Sequence, residues 1–451
     1  MILIGGGALF TNDPEMPFAA NGAVAAEDGR IVAAGKTAEL KRAFPGAEFI
    51  DAKGGLIMPG LINAHTHFYS SLLRGVKLKG FAPDSLYEAL AGRAWRLDRR
   101  LSFTDCVSAA YAAIIDSVRC GVTTLFDHHA CADPAGTLGA IAAAAADVGV
   151  RTCLACEVSD RGGFTCAESQ IRENVEFWDY CKRNGHGRLC AMFGLHAPFT
   201  LTDATLRKCV ARRPEGMGFH LHLSEGEDDR CYCARTSGVS PAQRLRDLGV
   251  LGPDTLLCHC VHVTEKEIAL IAESGAFIVN APQSNMSNGV GFAPVPRFME
   301  AGITVCLGTD GFTGDMIESA RSYTLIRSHE AGMPGHGADE AAEMLFSGNV
   351  RLAERFFGPG IGRIKPGAPA DVAVFGYRPF TPIGPENAIN HILFGLSGRS
   401  CETVMVDGRI IMRAGRLVTV DEGRLRTACA AAVNSLLERM EAEGPVPPLM
   451  A

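Results

Sequence analysis

The stretch "GLINAHTHF" places His65 and His67 on alternate positions at the end of an apolar run. A strand points residues i and i+2 the same way, so the two imidazoles share a face. Paired neutral imidazoles are half of a metal site and suit zinc, iron, nickel or copper. "FHLHLSE" repeats the pattern with His220 and His222, and adds Glu225. His222, nearer the strand end, is the better ligand, and His220, one layer deeper, reads as core. Glu225 lies just past the strand, where a carboxylate can take a proton from metal-activated water and pass it to a leaving nitrogen. "LLCHCVH" offers His259 to polarise a substrate or orient the water. In a regular strand His259 faces away from Cys258 and Cys260, so an inward imidazole predicts both thiols pointing out against helices. His262 lies past the strand and reads as a loop residue. "VCLGTDG" ends a further strand on Asp310, a carboxylate able to bind metal and accept a proton. Three histidines and one aspartate leave room for water, as a catalytic metal centre requires.

Such side chains converge only if the strands carrying them are neighbours. Strand-length apolar segments recur: "LIMPGLINAH", "VTTLFDH", "VRTCLACEV", "RLCAMFGLH", "GFHLHL", "TLLCHCV", "GAFIVNAP" and "TVCLGTD". Helix-forming stretches such as "TLGAIAAAAADVG" and "TEKEIALIAESG" separate several of them. This alternation predicts an α/β fold with a (β/α)8 barrel, whose chemistry sits at the C-terminal ends of the strands. The first residues read instead as short strands, with a hairpin at Asp28-Gly29. The triple glycine at Gly5 to Gly7 precedes no helix and is not a dinucleotide loop. "GRIKPGAPADVAVF" and "CETVMVDGRIIMRAGRLV" return to strands and turns near the C-terminus, followed by a terminal helix and the loose tail "GPVPPLMA". The expected division is 1–56 and 361–451 for a small β domain built from both termini, and 57–360 for the barrel.

Composition narrows the classes. The chain has 451 residues, 47% apolar and 21% charged, with a net charge of −7 and no basic block. That argues against a nucleic-acid binder held by phosphate contacts. No apolar run approaches the roughly 20 residues of a membrane span. The N-terminus has no basic leader of a signal peptide, so a cytoplasmic location is expected. Sixteen cysteines then read as reduced thiols. Cys153 and Cys156 of "CLAC" fall on opposite strand faces, against a zinc ribbon. The segment "LLRGVKLKGFAPDSLYEALAGRAWRLDRRL" is long for a barrel loop and is expected to wall the pocket, with Arg74 near the substrate.

The ordered set "PGLINAHTH", "HLHLSE", "HCVH", "GTDG" and "KPGAPADVAVF" resembles the amidohydrolase superfamily, within it the cytosine deaminase and triazine hydrolase branch. "WRLDRRLSFTDCVSAAYAAI", "GVTTLFDHHA" and "AMFGLHAPFTLTDATL" are similar to the SsnA-type aminohydrolases, a group associated with purine breakdown. The resemblance implies a distorted (β/α)8 TIM barrel with a β-sandwich made by both termini. It implies one divalent metal per chain, zinc or alternatively Fe2+, on His65, His67, His222 and Asp310. Glu225 would shuttle protons and His259 would assist the attacking hydroxide. His196 matches a position that lines the substrate pocket. Asn285 in "NAPQSNMSNG" would contact substrate or cap a turn. His128 and His129 in "FDHHA" have no counterpart in the wider branch and become candidates for substrate specificity, one of them facing the mouth. The implied partner is a small heterocycle, with no nucleic acid or membrane, and relatives suggest a homodimer.

The leading expectation is hydrolytic deamination of an amino-substituted purine or related heterocycle. The alternative is ring opening of a cyclic amide. Many ring-opening relatives use two metals bridged by a carboxylated lysine on the fourth strand, but "RLCAMFGLH" contains no lysine and Lys182 precedes it on a helical stretch. A non-catalytic accessory protein is the third reading. It would be favoured by a missing ligand or proton shuttle, and none is missing.

Overall fold

The computed structural model describes residues 1–442. The expected tail "GPVPPLMA" lies outside the described residues. The N-terminal strands are β1 (Ile2–Phe10), β2 (Phe18–Glu27), β3 (Arg30–Lys36), β4 (Glu48–Asp51) and β5 (Leu56–Pro59). Asp28 and Gly29 both hold positive φ, 49° and 80°, and close the β2–β3 hairpin. That is the primed turn whose twist matches its strands.

The strand expected over "LIMPGLINAH" is two strands. β5 stops at Pro59 and β6 (Leu61–Thr66) begins after Gly60, where an added Cβ would lie 2.3 Å from the Thr123 side chain. Glycine therefore allows the chain to leave one sheet and enter another. β6 is followed by β7 (Val122–His129), β8 (Arg151–Cys156) and β9 (Leu189–Ala191), parallel and paired in that order. β10 (Phe193–Leu195), β11 (Phe219–Leu223), β12 (Leu256–His259), β13 (Phe277–Asn280) and β14 (Val305–Leu307) form a five-stranded parallel sheet. The segment "RLCAMFGLH" is thus split at Met192 between the two sheets. Isolated parallel bridges, Thr66 to Asp310 and Val158 to Leu195, are the contacts where the sheets meet. The result is an α/β fold of TIM-barrel type whose ladders do not run unbroken around the ring.

One apolar layer fills the space between these strands: Ile62, Ala64, Phe126, Cys153, Met192, Leu256, Cys258, Val279 and Cys306. The opposite faces, with Leu125, Leu154, Leu221, Leu257 and Ile278, pack against helices. Parallel strands buried on both faces read as continuous apolar runs, which is how they stand out in the sequence. Several helix starts are capped by side chains. Ser102 with Asp105 and Thr264 with Glu267 form capping boxes for the helices Phe103–Val118 and Glu265–Ser274. Among the described residues, no single helix is long and apolar enough to cross a membrane.

The chain returns through β15 (Val372–Phe375), β16 (Cys401–Val406), β17 (Arg409–Arg413) and β18 (Arg416–Leu417). The expected two-layer sandwich meets a different pairing: one nine-stranded sheet, ordered β18-β17-β16-β15-β5-β1-β2-β3 with β4 on β1. β5 causes this, because it pairs parallel with β1 and antiparallel with β15, joining the terminal segments side by side. The final helix, Glu422–Glu441, packs mainly on the helix Phe103–Val118. Its Leu436 and Met440 join Leu72, Leu73, Leu97 and Leu101 near the mouth of the parallel strands.

Candidate active site

The side chains singled out at His65, His67, His222, Glu225, His259 and Asp310 come together at the strand ends. His65 closes β6 and His67 follows it, with ring centroids 4.7 Å apart. His222 ends β11, and its Nε2 lies 3.2 Å from His67 Nε2. Asp310 follows β14, with Oδ1 3.2 Å from His67 Nε2. The Asp310 turn is pinned to β6: its amide donates to the His65 carbonyl at 3.0 Å, and Thr66 Oγ1 donates to the Asp310 carbonyl at 3.2 Å. Ser224, His259, Cys260 and Asp310 all hold positive φ, at 48°, 72°, 51° and 54°. Such backbone costs of the order of 1 kcal/mol or more per residue and persists only where surrounding contacts fix it.

The tautomers of three imidazoles follow from their partners. His67 Nδ1–H donates to the His128 carbonyl at 2.6 Å, and His222 Nδ1–H donates to the His196 carbonyl at 2.9 Å. His65 Nδ1 lies 2.9 Å from His220 Nε2. Burial pushes the His220 pKa down to about 3, so this ring is neutral and can accept from His65 Nδ1–H. His222 Nε2 then carries a lone pair, and His65 Nε2 is buried without any partner. His67 Nε2 faces that lone pair at 3.2 Å and Asp310 Oδ1 at 3.2 Å, so a proton or a cation must lie there. Ligands bonded at about 2.0–2.1 Å in a tetrahedral zinc site stand about 3.3 Å apart, close to the spacing seen here. Burial alone would lower the His67 pKa, but Asp310, by hydrogen bond and charge, and then Glu157 lift it to about 9. The same His67 contacts hold the Asp310 carboxyl well below its usual range, against the upward push of burial. A divalent cation can take the place of that His67 proton, since it satisfies the carboxylate and the converging ring nitrogens together.

Glu225 and His259 flank this cluster. His259 Nε2 is 3.7 Å from both Glu225 Oε2 and Asp310 Oδ2. Asn288 Nδ2 donates to Glu225 Oε1 at 2.9 Å. The predicted facing of Cys258 is corrected. Because His259 and Cys260 both turn into positive φ, strand alternation fails there. Cys258 points inward, 3.4 Å from His220 Nε2, while Cys260 packs outside.

The cluster opens into a cavity of about 450 Å³, within the size range of small-molecule sites. The segment after β6 does wall it, with Phe81, Leu86, Leu90, Trp95 and Leu97, and His196 and Arg74 also lie on its surface. Arg74 is already engaged, with Nη1 2.9 Å from Asp116 and a second bond to the Phe312 carbonyl. Three expectations are corrected. Asn285 does not reach the cavity wall; it is buried beneath His259 and accepts His259 Nδ1–H at 2.8 Å. Its neighbours Ser284, Ser287 and Asn288 line the cavity instead. His128 faces inward but lies behind the cluster, stacked on His220 at 4.5 Å, and does not line the cavity. His129 faces the opposite way, fully buried.

Glu157 escaped the sequence reading. It follows β8, lines the cavity, and stands 3.6 Å from His67 Nδ1 and 3.3 Å from His128 Nδ1. Burial pushes its pKa up to about 7. An acid directly after the strand "RTCLAC" was the available signal.

Residues 56–411 match the Amidohydrolase family. Residues 22–47 match a bacterial imidazolonepropionase-like composite domain. Similar curated proteins include a 5-methylthioadenosine/S-adenosylhomocysteine deaminase of Desulforudis audaxviator, 33% identical over 89% of this chain and 91% of the relative. A 5'-deoxyadenosine deaminase of Methanopyrus kandleri is 31% identical over 94% of this chain and 97% of its own. Among solved structures, a zinc-bound adenosine deaminase from Xanthomonas campestris superposes with a TM-score of 0.85 at 24% identity, over 98% of this chain and 99% of that one. A zinc complex of atrazine chlorohydrolase from Arthrobacter aurescens gives 0.78 at 23% identity, over 96% and 100%.

Proposed function

The chain belongs to the amidohydrolase family and is a metal-dependent aminohydrolase of a purine-like substrate, and from that premise we propose which residues do the work. His65, His67, His222 and Asp310 would hold one divalent ion, zinc in this reading. The single observation that carries it is the convergence of the Nε2 atoms of His67 and His222 at 3.2 Å, with Asp310 beside them. When bound, such an ion acidifies water and so supplies a nucleophile at neutral pH.

The chain's own groups then handle protons. Asn285 fixes His259 with Nδ1 protonated, leaving Nε2 as a lone pair facing Glu225 and Asp310. His259 Nε2 orients the water or the departing group by hydrogen bonding. Glu225, held by Asn288 at one oxygen, uses the other to take the water's proton. It returns that proton to the ring nitrogen, and then carries the water's second proton to the amino group, which departs as ammonia. The buried His196 and Trp95 close off bulk water around the reacting carbon.

The substrate proposed is a purine with an exocyclic amino group, carried on a nucleoside. The names of the relatives, deaminases of 5-methylthioadenosine, S-adenosylhomocysteine and 5'-deoxyadenosine, support this class. The wall of Phe81, Leu86, Leu90 and Leu97 suits an apolar substituent better than a phosphate. Ring opening is disfavoured by the absence of lysine in the β9–β10 segment. We also propose that residues 57–360 form the catalytic unit as a distorted (β/α)8 barrel, since every residue named above falls within it. Residues 1–56 and 361–451 would brace it. A homodimer in the cytoplasm completes the reading. The test is a panel of adenine nucleosides with free, deoxy and alkylthio 5' positions, assayed for ammonia. Ammonia release with conversion of the amino- to the oxo-purine spectrum is expected. Loss of ring absorbance without ammonia would overturn the reading.

A further inference from the structure

β7 sends alternate side chains to opposite faces, so His128 points in and His129 points out. The outward imidazole is 0% exposed, and neither of its ring nitrogens has a hydrogen-bond partner. It meets two thiols from different elements: Cys106 on the helix Phe103–Val118 and Cys131 just past the strand. One donor atom from each of the three residues lies within 4.8 Å of the other two. Both thiols are buried and neither is in a disulfide. Asp127 shares the strand face of His129. Its Oδ1 accepts the Phe68 amide at 2.7 Å, whereas Oδ2 is buried and unpartnered.

A buried polar atom left unpaired is costly. Such a group of orphans calls for a ligand not yet counted. Thiolate and imidazole together select a soft or borderline divalent cation. We propose that Cys106, His129 and Cys131 form a second metal site, taking zinc or a similar thiophilic divalent ion, with Asp127 on the same strand face to complete it. None of these residues lines the cavity, so the site is structural. Binding would release the thiol protons and clamp the helix Phe103–Val118 to the end of β7. The clamp sits behind His67, whose Nδ1 bonds the carbonyl of His128, the residue between Asp127 and His129. The site is independent of the catalytic set, because its ligands face the other side of the strand.

Cobalt substitution of the intact chain distinguishes the two centres. The proposed catalytic ligands include no sulfur, so a thiolate-to-cobalt charge-transfer band in the near ultraviolet reports only this second site. The band is expected in the unmodified chain and in His67→Ala. In Cys131→Ser it is expected to weaken, with loss of one equivalent of bound metal. A fully loaded chain without the band would overturn the proposal. So would peptide mapping that finds Cys106 joined to Cys131 in a disulfide in freshly purified protein.

Discussion

Replacing Glu225 by glutamine isolates proton transfer from everything else that residue does. The side chain is 12% exposed, one oxygen accepts from Asn288 Nδ2 at 2.9 Å, and the other stands 3.7 Å from His259 Nε2. Glutamine keeps the Asn288 bond through its carbonyl and fills the same volume. Its amide can point at the His259 lone pair, so packing and the neighbouring imidazoles stay in place. What disappears is an atom able to hold a proton and release it. A positioned general acid–base is worth about 10²–10⁴-fold, or about 3–5 kcal/mol of barrier at 1.36 kcal/mol per tenfold. Glu225→Gln should therefore lower kcat for ammonia release by that factor, with bound metal and urea midpoint unchanged. Steady-state ammonia assay beside metal analysis measures both. A kcat within tenfold of the unmodified enzyme would mean that Glu225 does not carry the proton, since among the described residues the other carboxylate 3.7 Å from His259 Nε2 is Asp310, which is proposed to be a ligand.

Other consequences are more local. Asn285→Ala frees the His259 ring to rotate, and loss of such an orienting partner typically costs about 10–100-fold. The expected fall is in kcat with KM little changed; an unaltered kcat argues that Asn285 is only a turn residue. Asp229 accepts the amides of Phe199 at 2.8 Å and Ser224 at 2.7 Å, and burial pushes its pKa up to about 7. The folded chain then holds this proton more tightly than the unfolded one, whose carboxyl titrates near its ordinary value of about 4. Its stabilising contribution is fully present below pH about 4 and is lost as pH rises through about 7. Asp229→Asn should flatten the dependence of urea stability on pH between those limits, and an unchanged slope would contradict the assignment. Leu436→Ala removes a fully buried side chain that holds the terminal helix against Leu72, Leu73 and Leu97. Its expected cost is about 2–5 kcal/mol in urea denaturation; a loss under 1 kcal/mol would mean the helix does not dock there.

Much of the site was legible because metal chemistry constrains residue type and strand periodicity constrains direction. The shared facing of His65 with His67 was readable from alternation and the place of Asp310 from the end of an apolar run, while the choice of His222 over His220 and the ligand set rested on the motifs taken together and on the family resemblance. The parts that were not legible depend on backbone that breaks the period. Positive φ at His259 and Cys260 turns Cys258 inward, against simple alternation. Gly60 divides one apolar run between two sheets, and only a clash with Thr123 reveals why. Glu157 needed the third dimension: it is an ordinary acid in the sequence, and its burial beside His67 and His128 gives it a place in the site. Asn285 was found for the wrong contact, because the helix Pro282–Ser287 turns it beneath His259 and leaves its neighbours on the wall. The pairing of β5 with both β1 and β15 could not be foreseen from the strands taken singly.

His67 and Asp310 are proposed to share one catalytic metal with His65 and His222. Metal content and ammonia release measured together on His67→Ala and Asp310→Asn test it most directly. Each variant should bind one equivalent less than the unmodified chain and release no ammonia above background. A variant that keeps the full complement of metal, or that keeps turning over after losing it, would contradict the account.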